Sequence, residues 1–279
     1  MNDSLPQRQT SKTGINAKSG AELAVQVTDA SVTFAARDKP VHALKNVSLN
    51  IAAGEFVSFI GPSGCGKTTL MRVIADLEQV TSGQVLVNGM SAAQARQRGA
   101  YGYVFQAPAL YPWRSVLKNV TLPLEIRGMD AAQRKEVAMR QLANVGLTGF
   151  EGKFPWQLSG GMQQRVSIAR ALGFEPKILM MDEPFGALDE ITRDRLNEQL
   201  LQLWAKERRT VIFVTHSIPE AAFLSSKIVV MSARPGRVVD VIESNLPAER
   251  TLDIRETPEF VDIAHRIRQA LRDGDSYHD

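Results

Sequence analysis

Gly61-Pro-Ser-Gly-Cys-Gly-Lys-Thr68 is the stretch that decides the fold of this chain. Its spacing, G-x-x-x-x-G-K-[ST], lets a glycine-rich backbone close into a cradle of N–H groups around phosphate. The apolar run at 55–60 predicts a buried strand just before the stretch, and residues 69–75 predict a helix just after it. Phosphates would then sit at a helix N-terminus, where free N–H groups and the helix dipole favour anions. This order of strand, loop and helix predicts a nucleoside triphosphate site in an α/β fold rather than a chance turn.

The residues of this loop have distinct expected roles. Those expected to contact the nucleotide are Gly61, Pro62, Ser63, Gly64, Cys65, Gly66, Lys67, Thr68 and Thr69. Lys67 would place a positive charge on the outer phosphates, and the hydroxyl of Thr68 would bind Mg²⁺. Cys65 is the only cysteine of the chain. We interpret it as a small residue that the loop tolerates; the alternative is a reactive thiol, because a helix N-terminus lowers a thiol pKa.

Two apolar runs downstream end in polar residues. The run at 178–183 ends in two acids, where a Walker B motif is expected. Asp182 would hold Mg²⁺, and Glu183 would polarise the attacking water as general base. The run at 210–216 ends in His216, at the strand edge where open parallel sheets place their ligands.

A glycine-containing segment, Leu158-Ser-Gly-Gly-Met-Gln-Gln-Arg165, precedes a predicted helix at 166–172. Ser159 is suited to cap that helix, and Gly160 and Gly161 would let backbone N–H groups approach an anion closely. Alone this is a common turn, but here it lies upstream of the acidic strand.

Taken together, the motifs resemble the ATP-binding subunit of an ABC transporter over roughly residues 24–245. The matching elements follow the order of that family: the loop at 61–68, Gln106 after the strand at 101–105, the signature at 158–162, the Walker B strand at 178–183, Ala187-Leu-Asp189, and His216. Three shorter matches resemble its nitrate/sulfonate/taurine importer group: Tyr111-Pro-Trp113, Ser232-Ala-Arg-Pro-Gly-Arg237 and Thr257-Pro-Glu-Phe260.

The resemblance implies roles for further residues. Gln106 would reach Mg²⁺ or the attacking water, and His216 would contact the γ-phosphate and orient that water. Phe34 matches the position where the family stacks an aromatic ring on adenine; the alternative is an ordinary core residue. Asp189 would contact the facing subunit. Ser159, Gly160 and Gly161 would serve the nucleotide of the opposite copy, so the resemblance implies a C2 dimer that sandwiches two ATP molecules.

The implied partners lie in and beyond a membrane. A groove beside the Gln106 loop would receive a coupling helix of a permease subunit, and Leu110, Tyr111, Trp113 and Val116 are candidates for lining it. The alternative is that these four side chains form the core of a helical subdomain. An extracytoplasmic solute-binding protein would be an indirect partner. The chain would sit peripherally on the cytoplasmic face of the membrane.

The expected fold is α/β, a P-loop NTPase with a RecA-like core, an antiparallel β-subdomain and an inserted helical subdomain. Residues 1–21 are nearly devoid of apolar side chains and predict a disordered tail. The nucleotide-binding domain would span 22–245, with its helical subdomain at about 107–160. A C-terminal helical extension would span 246–279. Helical spacing puts Phe260, Ile263, Ala264, Ile267 and Leu271 on one face of its helix. That face would dock on the chain's own domain or, alternatively, on a partner.

Bulk properties exclude several classes of protein. No stretch approaches the roughly 20 apolar residues that span a bilayer. The amino terminus lacks an apolar signal core, so export is not expected, and a single cysteine suits a reducing cytosol. A net charge of +3 does not indicate a nucleic-acid partner.

Three alternatives stay open at this point: a soluble ABC ATPase acting on DNA or ribosomes, the ATPase of another transporter group, and a non-hydrolysing binding module. A soluble ABC ATPase acting on DNA would carry a long coiled-coil insertion, whereas only positions 107 to 158 separate Gln106 from Ser159. A translation-type ATPase would carry two phosphate loops, and this chain has one. The same ATPase could serve an exporter or another importer group, and a non-hydrolysing module would leave Glu183 idle.

Overall fold

The computed structural model describes residues 22–35 and 39–275, so the tail predicted at 1–21 lies outside the described residues. The described strands are β1 (Leu23–Phe34), β2 (Val41–Ala52), β3 (Phe56–Ile60), β4 (Ser82–Val87), β5 (Met90–Ser91), β6 (Tyr101–Val104), β7 (Ile178–Asp182), β8 (Thr210–Thr215), β9 (Lys227–Met231) and β10 (Val238–Glu243). The described α-helices are α1 (Lys67–Ile74), α2 (Ala92–Gln97), α3 (Val116–Ile126), α4 (Ala131–Asn144), α5 (Gly160–Leu172), α6 (Glu190–Glu207), α7 (Ile218–Leu224) and α8 (Pro258–Asp275).

The central sheet has six strands in the order β10-β9-β3-β8-β7-β6. Its five strands from β9 to β6 run parallel, and β10 pairs antiparallel with β9 at one edge. Every residue of β3, β7 and β8 is buried, because both faces of a parallel sheet are covered. Alternate side chains accordingly enter two separate cores, Phe56 and Ile60 on one face and Val57 and Phe59 on the other.

A second sheet of four antiparallel strands, β2-β1-β4-β5, packs against the second of these cores. The alternating patterns at 25–28 and 31–34 alone indicate two short strands, but β1 runs through both segments without a break. Asp29 adopts a left-handed φ of 46°, and the pairing with β2 shifts register between Val27 and Ala30. The polar pair at 28–29 therefore forms a bulge within one strand rather than a turn between two.

Helices α3 to α8 cover the other core, whereas α1 and α2 pack into the core beneath the antiparallel sheet. Helices α3, α4 and α5 pack on one another, next to the end of β6. In α6, Leu196, Leu200 and Trp204 are buried as their spacing predicts. Ile191 shares their helical spacing but is 83% exposed, because it lies in the first turn, which extends past the core.

The last helix, α8, docks on its own chain, against α7, β9 and β10. Phe260, Ile263 and Ile267 form its buried face. These are positions that helical spacing predicted, and the docking is the one expected. The α/β fold with an antiparallel sheet and a packed set of helices is thus confirmed.

Candidate nucleotide site

The site lies along one edge of the central sheet, where parallel strands end. Ile60 pairs with Thr215, Asp182 with Val214, and Val104 with Met181, so the strands finish at neighbouring points. The residues that follow these strand ends are Gly61, Glu183, His216 and Phe105 with Gln106. The parallel register therefore gathers side chains from four separate parts of the sequence, as is typical of ligand sites in open α/β sheets.

The phosphate loop joins β3 to α1. Gly66 immediately precedes the helix with a left-handed φ of 98°, and a Cβ there would lie 2.7 Å from Leu44 Cδ2. Only glycine fits this conformation at this distance. Lys67 is buried, and its ammonium donates to the carbonyls of Gly61 (2.8 Å) and Pro62 (2.9 Å). The loop thus holds a positive charge inside its own turn, at the N-terminus of a helix.

A hydroxyl and a carboxylate meet at the base of the loop. Thr68 Oγ1 donates to Asp182 Oδ1 at 2.8 Å. Burial raises the pKa of Asp182, the hydrogen bond from Thr68 opposes this, and the neighbouring Glu183 charge adds to the rise. The described residues contain no group of three or more His, Cys, Asp or Glu side chains placed to hold a metal. The pair fits Mg²⁺, which is usually held by one or two protein oxygens together with phosphate oxygens and water.

Glu183 is the point where the polar side chains converge. Gln106 Nε2 donates to Glu183 Oε2 at 3.3 Å, and His216 Nδ1 lies 3.6 Å from the same oxygen. The Glu183 backbone has a left-handed φ of 45°, a conformation that costs a non-glycine residue about 1–3 kcal/mol. Its N–H donates to Val214 O at 3.0 Å, which holds this conformation in place. Strain of this kind is found at functional positions.

A cavity of about 290 Å³ opens above the loop. Its lining consists of Phe34, Val41, Ala43, Ser63, Gly64, Gly66, Lys67, Thr68, Thr69, Glu183 and Arg234. Phe34 is 38% exposed at this wall, so its ring is available to a ligand rather than enclosed in the core. Six of the nine loop residues named from the sequence line the cavity. The other three, Gly61, Pro62 and Cys65, do not line it.

Sequence reasoning missed three lining residues: Val41, Ala43 and Arg234. Arg234 was noted only as part of a short family match. One signal could have revealed it, because Arg234 closely follows the end of β9, and β9 runs parallel to β3. The rule that ligands gather at parallel strand ends applies to this strand as well.

Cys65 behaves as a small buried residue. Its side chain is 1% exposed, and burial raises the pKa of the thiol, although the nearby Lys67 charge opposes the rise. A thiol with a raised pKa is protonated and weakly nucleophilic at neutral pH. The structure therefore favours the tolerated-residue interpretation over a reactive thiol.

The remaining predicted residues form a separate surface, which we call the signature corner: Ser159, Gly160, Gly161 and Asp189. Ser159 begins α5, where its Oγ accepts from Met162 N at 3.3 Å. Asp189 begins α6, where its carboxylate accepts from Thr192 N at 2.9 Å, and this hydrogen bond lowers its pKa. A Cβ on Gly161 would lie 3.2 Å from Thr192 Cγ2, so the two helix starts are adjacent. None of the four residues lines the cavity.

The four candidates for a coupling groove divide into two kinds. Trp113 is 71% exposed and Tyr111 is 42% exposed, and their rings meet edge to face at 5.3 Å. Val116 is fully buried at the start of α3, and Leu110 is half-buried against the core. Val116 is therefore a core residue, and the expectation that it lines a surface groove was wrong.

The fold and the cavity define a P-loop nucleoside triphosphatase. The family model described as ABC transporter matches residues 44–186, which include the loop, the signature and the acidic strand. The chain belongs to the ABC transporter family, as an ATP-binding subunit and ATPase. None of the described helices has the length and apolar character to cross a membrane.

Relatives cover nearly the whole chain. It is 44% identical to the taurine import ATP-binding protein of Rhizobium johnstonii, over 88% of this chain and 96% of that protein. It is 40% identical to the nitrate import ATP-binding protein of Synechocystis, over 89% and 95%. It is 39% identical to an aliphatic sulfonates import ATP-binding protein of Bacillus cereus, over 90% and 97%.

Solved structures agree. A dimeric bacterial ABC transporter cassette superposes with a TM-score of 0.71 at 36% identity, covering 78% of this chain and 98% of that one. The same cassette is known as a dimer in a post-hydrolysis state, bound to ADP and phosphate.

Proposed function

We propose that this ATPase drives import of a small anionic solute, of the nitrate, taurine or alkyl sulfonate type, through ATP-dependent closure of two copies. The observation that carries the proposal is the separation of the signature corner from the nucleotide cavity. On this proposal each copy has two anion-binding surfaces, and no residue of the corner lines the cavity of its own chain. A C2 pair would place each corner over the partner's cavity. The dimeric cassette of similar sequence supports this arrangement.

The chemistry of the closed site would draw on both copies. Lys67 would move its ammonium from the loop carbonyls to the outer phosphates. Thr68 and Asp182 would hold Mg²⁺, which neutralises phosphate charge when bound. Glu183 would accept a proton from the attacking water, with Gln106 and His216 beside the same carboxylate oxygen to orient it. The partner's Ser159 hydroxyl and the backbone N–H groups that follow it would stabilise charge on the γ-phosphate.

Dimer closure is useful to a transporter only if another body follows it. We propose that permease subunits dock beside the exposed Tyr111 and Trp113, with the ATPase peripheral on the cytoplasmic face of the membrane. A solute-binding protein on the other side would complete an importer. The import functions of three relatives at 39–44% identity support both the direction and the solute class.

Complementation between two inactive variants tests the shared site. Lys67→Ala disables the cavity and leaves the corner intact, whereas Ser159→Arg disables the corner and leaves the cavity intact. Each variant alone should be inactive. In an equal mixture, half of the dimers pair one of each and contain one complete site out of two, so about a quarter of wild-type turnover should return.

The result distinguishes a shared site from a self-sufficient one. If each chain completed its own site, the mixture would stay as inactive as its components. A Ser159→Arg variant with full turnover would contradict the proposal directly. Nucleotide binding by the Ser159→Arg variant is the control, and we expect it to be unchanged because Ser159 lies outside the cavity.

Trp113 and Trp156 offer a matched pair for the permease contact. Both are largely exposed, at 71% and 67%, but Trp156 lies next to the signature rather than beside Tyr111. Trp113→Ala should weaken co-purification with the permease subunits, and Trp156→Ala should not. Equal recovery with both variants would remove Trp113 from the interface.

Uptake assays test the solute class. Cells lacking this chain should lose uptake of labelled taurine, an alkyl sulfonate or nitrate, and the Glu183→Gln variant should fail to restore it. If cells lacking this chain still took up all three solutes normally, the proposed solute class would be contradicted.

A further inference from the structure

The segment Ser232–Arg237, between β9 and β10, contributes one residue, Arg234, to the lining of the nucleotide cavity. We call it the Arg-Pro-Gly loop. It follows the end of β9, which is paired in parallel with β3, so it emerges beside the phosphate loop. None of the roles described above uses it.

Gly236 fastens the loop in place. Its N–H donates to Ala43 O at 2.9 Å, and its carbonyl accepts from Lys45 N at 3.0 Å. A Cβ at this position would lie 2.0 Å from the carbonyl oxygen of Cys65, so no other residue fits without moving the phosphate loop. The two loops are therefore packed backbone to backbone.

This packing places the side chain of Arg234 against the phosphate loop. Its Nε donates to Gly64 O at 2.8 Å, and its Nη2 lies 2.9 Å from where a Cβ of Gly64 would be. Its side chain is exposed and lines the cavity that Lys67 and Phe34 also line. No ion pair among the described residues includes Arg234. A guanidinium has five N–H donors, and the hydrogen bond to Gly64 uses the one on Nε.

We propose that Arg234 is a nucleotide-binding residue that donates to the phosphate chain of the bound nucleoside di- or triphosphate. This inference rests on the proposed function, since it requires nucleotide in this cavity. The hydrogen bond from Arg234 to Gly64 favours a contact with the phosphates over one with the base, because it holds the guanidinium against the phosphate loop. An arginine held in this way presents a fork of donors that matches phosphate oxygens.

The test compares variants of the full-length protein by nucleotide affinity. Arg234→Gln should weaken ATP and ADP binding about tenfold, the usual effect of losing a charge-assisted hydrogen bond. Arg234→Lys should fall between, because lysine keeps the charge and loses the fork. Arg237→Gln is the matched control, since Arg237 belongs to the same loop, is exposed, and does not line the cavity. Its affinities should equal those of wild type.

Salt dependence separates a phosphate contact from a structural role. Losing a phosphate contact removes charge interaction, so ATP affinity in Arg234→Gln should fall less steeply as salt rises than in wild type. The ratio of ATP to GTP affinity should stay unchanged. Weakened binding with an unaltered salt dependence, or an altered ATP to GTP ratio, would overturn the phosphate assignment.

Failure of this inference is distinct from failure of the proposed function. Equal ATP affinity in wild type and Arg234→Gln would overturn the inference alone. Absence of measurable ATP binding by wild type and by Arg237→Gln would overturn the nucleotide site itself, and the inference with it.

Discussion

The nucleotide cavity and the signature corner are both built from helix N-termini, but they differ in depth and in charge. The cavity has a buried ammonium, a hydroxyl–carboxylate pair and a strained glutamate within one enclosure. At the corner, two capped helix starts lie side by side, with Ser159 and Asp189 exposed. The cavity is equipped to bind a nucleotide, whereas the corner lies open at the surface. Such a difference is expected if the two regions meet only between copies.

The pKa values of Asp182, beside the cavity, and Asp189, at the corner, are shifted in opposite directions. Burial raises the pKa of Asp182 in the cavity, whereas a backbone N–H lowers the pKa of Asp189 at the corner. In the absence of nucleotide, the cavity therefore disfavours the charge that it would need for Mg²⁺. The corner stabilises its charge within the single chain.

The largest expected effect comes from Lys67→Ala. This substitution removes the positive charge from the cavity and should weaken ATP binding about a hundredfold or more, because a buried charge-assisted contact is lost. Binding of a fluorescent ATP analogue measures it. Lys118→Ala, at an exposed lysine of α3, is the control and should bind normally. Unchanged affinity in Lys67→Ala would remove the cavity from the comparison.

Glu183→Gln should separate binding from chemistry. Turnover should fall about 10²–10⁴-fold, the usual contribution of a general base. ATP affinity should stay close to that of wild type, and ATP-bound dimers should accumulate in size-exclusion chromatography. Glu190→Gln, at an exposed position in the first turn of α6, is the control. Unaltered hydrolysis by Glu183→Gln would refute its role as base.

Dilution of the protein should lower turnover, which needs the corner of a second copy, but should leave nucleotide affinity, which needs only the cavity. If the corner acts on a partner's nucleotide, turnover per chain must fall as the dimer dissociates, following mass action. Nucleotide affinity measured for the separated chains should persist, because the cavity belongs to one copy. Constant turnover per chain in a strictly monomeric preparation would break the comparison.

The smallest effects should appear in the pH dependence of stability without nucleotide. The pKa of Asp182 is raised in the folded protein. Its contribution to folding stability is therefore fully present below the ordinary carboxyl pKa and is lost as pH rises through the raised pKa. The pKa of Asp189 is lowered in the folded protein. Its contribution to folding stability is therefore present above the ordinary carboxyl pKa and is lost as pH falls through the lowered pKa. Asp182→Asn should therefore stabilise the protein at neutral pH, whereas Asp189→Asn should slightly destabilise it.

Urea unfolding midpoints measured across acid and neutral pH check both signs. In acid, the midpoint of each variant should approach that of wild type, because both carboxyl groups are then protonated in the folded and in the unfolded state. A destabilised Asp182→Asn at neutral pH would show that its hydrogen bond from Thr68 outweighs the cost of burial.

Much of this molecule could be predicted from local patterns. Continuous apolar runs identified β3, β7 and β8, and their polar endings identified Glu183 and His216, because parallel strands end at a common edge. The roles of these residues stay predictions. The errors arose where tertiary context overrides local pattern. The bulge at Asp29 looks like a turn in sequence, and Val116 faces the core only because α3 packs on its neighbours.

Arg234 shows a different limit. Nothing within the Arg-Pro-Gly loop marks it as a nucleotide contact, since the Pro-Gly pair that follows it indicates only a turn. Its position depends on the pairing of β9 with β3 and on the close approach of Gly236 to Cys65. These are long-range facts that no local window contains.

The burial of Cys65 has a practical consequence. A chain with one thiol, 1% exposed and shifted toward protonation, already resembles a cysteine-free background for surface labelling. A cysteine introduced at Trp156, which is exposed and belongs to neither the cavity nor the signature corner, would be the thiol that a maleimide dye reaches. Fluorescence transfer between two such dyes could then follow the approach and separation of the copies during turnover without prior removal of a native residue.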